Sequence, residues 1–150
     1  MSSYTDIASK LDWFQNVFLN STLPKAEVSD FYDLFPTRPS PPEITIKGKY
    51  PQTFPFSDRK GVYIILDSNL KVLYIGKASF DNFIGNRLGT HFIGKDKCCS
   101  PKSYSWTPPG PRYVISIAVP KEYTFMASSL EEYLIAKLQP TDNKHGKIPA

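Results

Sequence analysis

The chain has 150 residues, of which 41% are hydrophobic, and it carries a formal net charge of +4. This length suits one domain with a modest core and leaves no room for a second catalytic domain. No apolar run of about eighteen residues occurs and no signal-peptide pattern opens the chain. We therefore expect no membrane partner and a cytoplasmic protein, or a nuclear one in a eukaryote.

The distribution of charge indicates the kind of partner, and the cysteine content indicates the redox compartment. Residues 1–56 carry 5 basic and 6 acidic side chains, whereas residues 57–150 carry 13 basic and 8 acidic ones. The second part of the chain therefore has the excess of positive charge that a polyanionic partner would require. Cys98 and Cys99 are adjacent, which is unsuitable for a disulfide between them and agrees with a reducing compartment. A zinc site shared with His91 lacks a complete ligand spacing.

The first 43 residues predict an accessory helical arm. Residues 5–19 have helical periodicity, and residues 29–35 suggest a second, short helical turn. Four prolines between residues 36 and 42 then indicate a stiff connector. We therefore divide the chain into an arm, residues 1–43, and a domain, residues 44–150. The apolar face of the first helix consists of Ile7, Leu11, Phe14 and Phe18.

A β-hairpin is predicted next, because the β-prone runs 61–66 and 71–76 flank a turn-forming cluster, Asp67-Ser68-Asn69. Strand alternation then groups the side chains by face: Tyr63 with Ile65 on the first strand, and Val72, Tyr74 and Gly76 on the second.

The first helix predicted after the hairpin carries a cation and an imidazole beside its apolar face. Residues 81–92 have helical periodicity, with Ser79 or Asp81 as the N-cap, and they place Arg87 and His91 on one stripe beside the apolar one. Either that stripe is the solvated flank of an amphipathic helix, or it brings a cation and an imidazole to the edge of the core.

A last helix is predicted over residues 126–138, where Glu131 falls on the apolar side and Glu132 points away. A carboxylate on an apolar side needs a reason. A capping box with Ser128 is one such reason, and a functional role for Glu131 is the other.

The predicted fold class is α/β, with a small central β-sheet of three or more strands flanked by helices. Residues 43–47 and 113–118 supply further strands. The long segment 93–112 is either a solvated loop or a substrate-binding loop that contacts phosphates and exposed bases. Its candidate substrate contacts are Lys95, Lys97, Lys102 and Arg112.

The order of these elements resembles that of the GIY-YIG nucleases. Gly61-Val62-Tyr63 and Tyr74-Ile75-Gly76 are similar to the paired strand signature of that family, and the helices that carry Arg87 and Glu131 follow in the family's order, with Pro140 and Asn143 after them. The resemblance covers about residues 60–144. Val62 in place of the common isoleucine is a small departure, whereas the long segment 93–112 leaves substrate choice open.

The resemblance implies a metal-dependent endonuclease that hydrolyses DNA phosphodiester bonds, in a restriction, repair or mobile-element role. It implies that Glu131 is the ligand of Mg²⁺ or Mn²⁺ and that Arg87 binds the phosphate. Tyr63 would activate water and His91 would accept the proton of the tyrosine. His91 is the other candidate for the general base, because its ordinary pKa of about 6.5 is closer to neutral than that of a tyrosine, about 10. The remaining expected site residues are Tyr74, which orients water or phosphate, Asn143, which braces the site, and Lys77, which contacts the substrate.

A second hypothesis is a non-catalytic module that retains the GIY-YIG fold and binds nucleic acid without turnover. A response to metal would separate the two hypotheses, because a pure binding module need not respond to Mg²⁺. In the nuclease case, one active site severs one strand at a time. Concerted cutting of duplex DNA would therefore suggest a homodimer.

Overall fold

The computed structural model describes residues 3–18, 24–39, 44–92 and 106–144. Its helices are α1 (Tyr4–Trp13), which continues as a π-helical turn (Phe14–Phe18), α2 (Ile84–His91) and α3 (Met126–Leu138), preceded by a 3₁₀ turn (Lys121–Tyr123). Its strands are β1 (Glu27–Val28), β2 (Phe31–Asp33), β3 (Ile46–Lys49), β4 (Gly61–Asp67), β5 (Val72–Ala78) and β6 (Pro111–Ala118). No helix within the described ranges has the length and apolar character needed to cross a membrane.

A mixed six-stranded sheet forms the centre of the molecule. Its main path runs β3-β2-β6-β4-β5, and β1 also pairs with β6. Strand β4 is antiparallel to both of its neighbours, β5 and β6, whereas β2 and β3 are parallel. The predicted hairpin is therefore β4–β5, and the predicted α/β fold class with an N-terminal helix is confirmed.

The two faces of the sheet pack against different helices. Helices α1 and α3 cover the face that carries Val62 and Ile64, while α2 covers the face that carries Tyr63 and Ile65. Each side therefore buries alternate residues of β4, as the strand period of two requires. The predicted pairing of Tyr63 with Ile65 on one face is confirmed.

A β-bulge corrects the prediction for the second strand of the hairpin. Ile65 lies opposite Tyr74, but the next residue, Leu66, lies opposite Val72, so the register shifts between them. Tyr74 packs on the α2 side, whereas Val72 belongs to the core beneath α1 and α3. Placing Val72 and Tyr74 on one face was wrong because a bulge inserts one residue and breaks the alternation.

The predicted helical turn over residues 29–35 is also wrong. Phe31–Asp33 forms strand β2, which pairs with β3 on one side and β6 on the other. A short, fully buried apolar run cannot be assigned by periodicity alone. Strands β1 and β2 thus join part of the predicted arm to the sheet, while the division at residue 43 stays a prediction.

Helix α2 begins three residues later than predicted. Residues 79–82 form a turn, which the backbone N–H of Asn82 closes by donating to the carbonyl of Ser79 at 3.1 Å. Neither Ser79 nor Asp81 caps the helix; its N-cap is Phe83, whose backbone N–H donates to the side chain of Asn86. The predicted helix over residues 126–138 coincides with α3.

A buried ion pair between Arg112 and Asp33 joins β6 to β2. The guanidinium of Arg112 donates to both carboxylate oxygens of Asp33, at 2.8 and 3.0 Å, and also to the backbone carbonyls of Arg38 and Pro39. Arg112 is only 2% exposed. The expectation that Arg112 contacts substrate is therefore wrong, because residue 112 lies in a strand and its guanidinium is buried and makes four hydrogen bonds inside the protein.

Replacing Asp33 with alanine should lower the free energy of unfolding by about 3 kcal/mol or more, because it leaves a buried guanidinium without its partner. Urea denaturation measures this change. The double variant Asp33→Ala/Arg112→Met is the control and should recover part of the loss, since it also removes the charge. A single-variant loss below about 1 kcal/mol, typical of an exposed pair, would contradict the assignment.

Candidate active site

The two glycines of the hairpin signature allow close approaches between strands. Tyr63 on β4 lies directly opposite Gly76 on β5, and a Cβ atom on Gly76 would lie 2.3 Å from the Tyr63 hydroxyl and ring. At the start of β4, a Cβ atom on Gly61 would lie 1.9 Å from the carbonyl oxygen of Ile117 on β6. Any side chain at Gly76 would displace the ring of Tyr63, so that glycine positions the tyrosine.

The Tyr63 hydroxyl and Nε2 of His91 are 3.0 Å apart and form a buried hydrogen bond. Both residues are almost inaccessible, at 0% and 1% exposure. His91 lies in the last turn of α2, and its ring centroid is 4.9 Å from that of Tyr74. Packing α2 on the Tyr63 face of the sheet thus brings together three predicted site residues from three elements.

Burial, and secondarily the charge of Arg87, lowers the pKa of His91 to about 4. At neutral pH the imidazole is therefore uncharged and has one nitrogen able to accept a hydrogen bond. A neutral His91 suits the predicted role of proton acceptor for the Tyr63 hydroxyl.

Trp106 completes an aromatic enclosure around this pair. Its ring centroid is 6.0 Å from that of His91 and 6.2 Å from that of Tyr74, and it stacks on Phe92. Trp106 belongs to a segment without strand or helix periodicity, so no sequence pattern predicts this contact. Its indole shields the imidazole from water and so contributes to the burial that keeps His91 uncharged.

A cleft of about 310 Å³ lies beside the buried tyrosine and histidine. Tyr74 and Lys77 from β5, Arg87 from α2 and Glu131 from α3 line it. Burial raises the pKa of Glu131, and the positive charges of Lys77 and Arg87 act in the opposite direction. The cleft therefore combines one carboxylate with two cations, and it lies beside the buried hydrogen bond between Tyr63 and His91.

The capping-box explanation for Glu131 is wrong. Helix α3 begins at Met126, so Ser128 lies inside the helix, where its hydroxyl accepts a hydrogen bond from Nζ of Lys77 at 3.0 Å. Glu131 is half-buried and lines the cleft, whereas Glu132 is exposed, as the predicted helix faces require. The carboxylate instead finds its partners outside the helix, where the backbone N–H of Lys77 donates to it and the charges of Lys77 and Arg87 lie near it.

Glu131 fits a divalent cation that is bound through one carboxylate. Among the described residues, no three Asp, Glu, His or Cys side chains cluster as a ready ligand set. Mg²⁺ does not require such a set, because it retains several waters and uses one or two carboxylates together with substrate phosphate, and Mn²⁺ shares its preference for oxygen ligands. A cation would also offset the burial that disfavours the charged carboxylate.

Asn143 braces the strand that carries Tyr74 and Gly76. Its side-chain oxygen accepts the backbone N–H of Ile75 at 2.8 Å, and its side-chain nitrogen donates to the carbonyl of the same residue at 2.9 Å. Because its side-chain oxygen and nitrogen both bond to Ile75, Asn143 holds β5 in place.

The described residues thus bring Tyr63, Tyr74, His91, Arg87, Lys77 and Glu131 to one place, with Asn143 behind them. The remaining expected substrate contacts, Lys95, Lys97 and Lys102, lie outside the described residues, as do Cys98 and Cys99.

Replacing Gly76 with alanine should destabilise the protein by about 1–3 kcal/mol, because the new methyl group overlaps the Tyr63 ring. The matched control is Gly89→Ala: a Cβ atom on Gly89 meets nothing within 4 Å, and Gly89 lies in α2, where alanine favours the helix. Urea denaturation should therefore show opposite signs for the two variants. Equal stability of Gly76→Ala and the unmodified protein would contradict the close approach.

A titration followed by NMR should give His91 a pKa of about 4, well below the ordinary histidine value of about 6.5. Because the unfolded chain binds the proton more readily, the free energy of unfolding should fall as pH drops from about 6.5 towards 4. Arg87→Ala should move this pKa upwards by only part of the difference, since burial is the larger cause. An ordinary pKa in the unmodified protein would contradict the buried, neutral imidazole.

Comparison with known proteins agrees with this geometry. The family model of the GIY-YIG catalytic domain matches residues 59–145, which is more than half of the chain and includes every residue of the site described above. Searches among curated proteins and among solved structures return no match. On the strength of the family match, the chain belongs to the GIY-YIG nuclease superfamily.

Proposed function

We propose that this protein is a metal-dependent endonuclease that hydrolyses DNA phosphodiester bonds. GIY-YIG nucleases act on DNA and generally use divalent metals. The observation that supports the proposal best is the cleft in which Glu131, Arg87 and Lys77 meet beside the hydrogen bond between Tyr63 and His91. A structural role alone does not explain one half-buried carboxylate and two cations in a shared opening.

Arg87 is the main phosphate contact in this proposal. Its Nε atom is buried and has no hydrogen-bond partner among the described residues, although the side chain lines the cleft. A phosphate in the cleft would accept from the guanidinium, whose planar shape allows two parallel hydrogen bonds, and a small shift of the side chain would let Nε become one of the donors. Lys77 adds a second positive charge, so the cleft offsets the charge that develops on the phosphate in the transition state.

Glu131 would hold Mg²⁺ or Mn²⁺ in the cleft. A divalent cation held by this carboxylate would supply positive charge to polarise the phosphate and to stabilise the leaving oxygen. The half-buried position of Glu131 in the middle of α3 limits the motion of its carboxylate, and the nearby charges of Lys77 and Arg87 favour its ionised form.

The Tyr63 hydroxyl would remove a proton from the attacking water while His91 accepts the phenolic proton. Complete transfer before substrate binds is unfavourable: a free phenol has a pKa of about 10 and His91 one of about 4, a gap of roughly 8 kcal/mol. The proton therefore stays on Tyr63 in the resting enzyme. Transfer accompanies the attack on the phosphate, and Tyr74, at the edge of the cleft, orients the water or the phosphate.

Replacing Glu131 with glutamine should reduce DNA cleavage by roughly a hundredfold or more while leaving DNA binding intact, because the charge is lost and the shape is kept. The matched control is Glu132→Gln, which alters the same chemical group on the exposed side of α3. Cleavage of supercoiled plasmid and of single-stranded DNA is measured with Mg²⁺, Mn²⁺ or EDTA.

Cleavage by the unmodified protein and by Glu132→Gln, with metal only, is the expected result. If all three proteins bind DNA equally and none cuts either substrate with any metal, the chain is a binding module that retains the fold. Equal cleavage by Glu131→Gln and Glu132→Gln would instead remove Glu131 from the proposed chemistry.

A further inference from the structure

Phe80 occupies a conformation and an environment that folding alone does not favour. Its side chain is 81% exposed, and its backbone has φ = 55°, in the left-handed region. Glycine, asparagine and aspartate are the usual residues at such turn positions, and a bulky residue there is strained. An exposed aromatic ring in a strained turn therefore points to a function rather than to stability.

Hydrogen bonds from neighbouring segments hold the backbone of the turn that carries Phe80. The ammonium of Lys60 donates to the carbonyl of Phe80 and lies 5.6 Å from the centre of the Phe83 ring. The first backbone N–H groups of α2 are also anchored: that of Ile84 donates to the carbonyl of Arg59 at 2.9 Å, and the next one donates to the carbonyl of Ser57. The backbone beneath the Phe80 ring is thus fixed at several points.

This braced turn lies between two positively charged surfaces. On one side Phe80 lines the catalytic cleft, together with Lys77 and Arg87. On the other side, Phe83 lines a groove of about 240 Å³ together with Arg59, Lys60 and Lys121. Phe80 itself lines the cleft, and Phe83, three residues further along the same turn, lines the groove, so a polyanionic chain bound to both surfaces would have to cross this turn.

We propose that Phe80 stacks on an unpaired nucleobase beside the scissile phosphate, and that the preferred substrate is DNA with unpaired bases at the cut site. Phenylalanine has no hydrogen-bonding group, so it cannot read a base edge, but every base offers a π-face for stacking. A paired base inside a duplex is already stacked on both sides, which leaves no face for Phe80. This inference rests on the proposed nuclease function and names the substrate class of that site.

The charges around the turn favour a nucleic acid over a second copy of this chain. The groove is lined by Arg59, Lys60 and Lys121 with one carboxylate, Asp58, and the cleft by Lys77 and Arg87 with Glu131. Arg59 also pairs with Glu27, yet basic side chains outnumber acidic ones on both sides of the turn. An identical, similarly basic surface would be repelled, whereas phosphates on both sides of a stacked base would be attracted.

Phe80→Asn is the most informative variant, because asparagine tolerates the left-handed conformation and replaces the aromatic ring with a short amide. Its melting temperature should equal or exceed that of the parent, so a loss of binding cannot be attributed to unfolding. Phe80→Trp keeps an aromatic face. The control Phe125→Ala removes another exposed phenylalanine, 70% accessible, which is not among the residues that line the cleft or the groove.

Each variant is combined with Glu131→Gln to prevent cleavage, and binding is measured by fluorescence anisotropy with Mg²⁺. The ligands are a single strand, a duplex with a bulge of unpaired bases, and a fully paired duplex of the same sequence. Phe80→Asn should weaken binding to the first two by roughly 5- to 100-fold and change binding to the paired duplex by less than about twofold. Phe80→Trp and Phe125→Ala should bind like the parent.

Unchanged binding of unpaired DNA by Phe80→Asn, or an equal loss on the paired duplex, would overturn the inference. Cleavage by the protein with Glu131 intact, assayed in parallel, separates this failure from a failure of the proposed function. If cleavage requires Glu131 but binding ignores Phe80, only the stacking inference is lost. If binding of unpaired DNA requires Phe80 but nothing is cut, stacking stands and the nuclease proposal fails.

Discussion

The approach of the Tyr63 ring to the backbone of Gly76 is the constraint on which the site depends. It requires β4 and β5 to pair in one register, with Tyr63 opposite Gly76 and Val62 opposite Lys77. A slip of one residue would turn Tyr63 towards the face that α1 and α3 cover, away from His91. The same register places Lys77 at the cleft, so both the buried and the open parts of the site follow from one strand pairing.

The site separates proton chemistry from charge. Tyr63 and His91 are buried among aromatic rings, and burial lowers the pKa of His91 so that its imidazole is uncharged, while Lys77, Arg87 and Glu131 line an opening to solvent. In a low-dielectric enclosure a neutral hydrogen bond is strong and a charge is costly. In the proposed reaction the phosphate would meet the charged groups, and only the attacking water would need to reach the Tyr63 hydroxyl.

Sequence patterns correctly predicted the helices and strands that bury one face with a regular period. Helix α3 and the contrast between Glu131 and Glu132 followed from a period of 3.6, and the hairpin followed from its turn residues. The failures occurred where tertiary partners decide the structure. Strand β2 gained its conformation from two neighbouring strands, and Arg112 became structural because of a carboxylate 79 positions away in the chain. The contact of Trp106 with His91 was not predictable, because it depends on tertiary packing and no local sequence pattern indicates it.

The segment after α3 also protects the sheet. Strand β5 is the last strand on its side of the described sheet path, and its outward backbone groups would ordinarily be open to another chain. Asn143 occupies both polar groups of Ile75, and the backbone N–H of Asp142 donates to the carbonyl of Leu73 at 2.7 Å. These two residues act as a fragment of an additional strand. Without these two residues, the edge strand that carries Tyr74 would be open to pairing with a strand of another molecule. The same contacts that position the site therefore also protect the protein against aggregation.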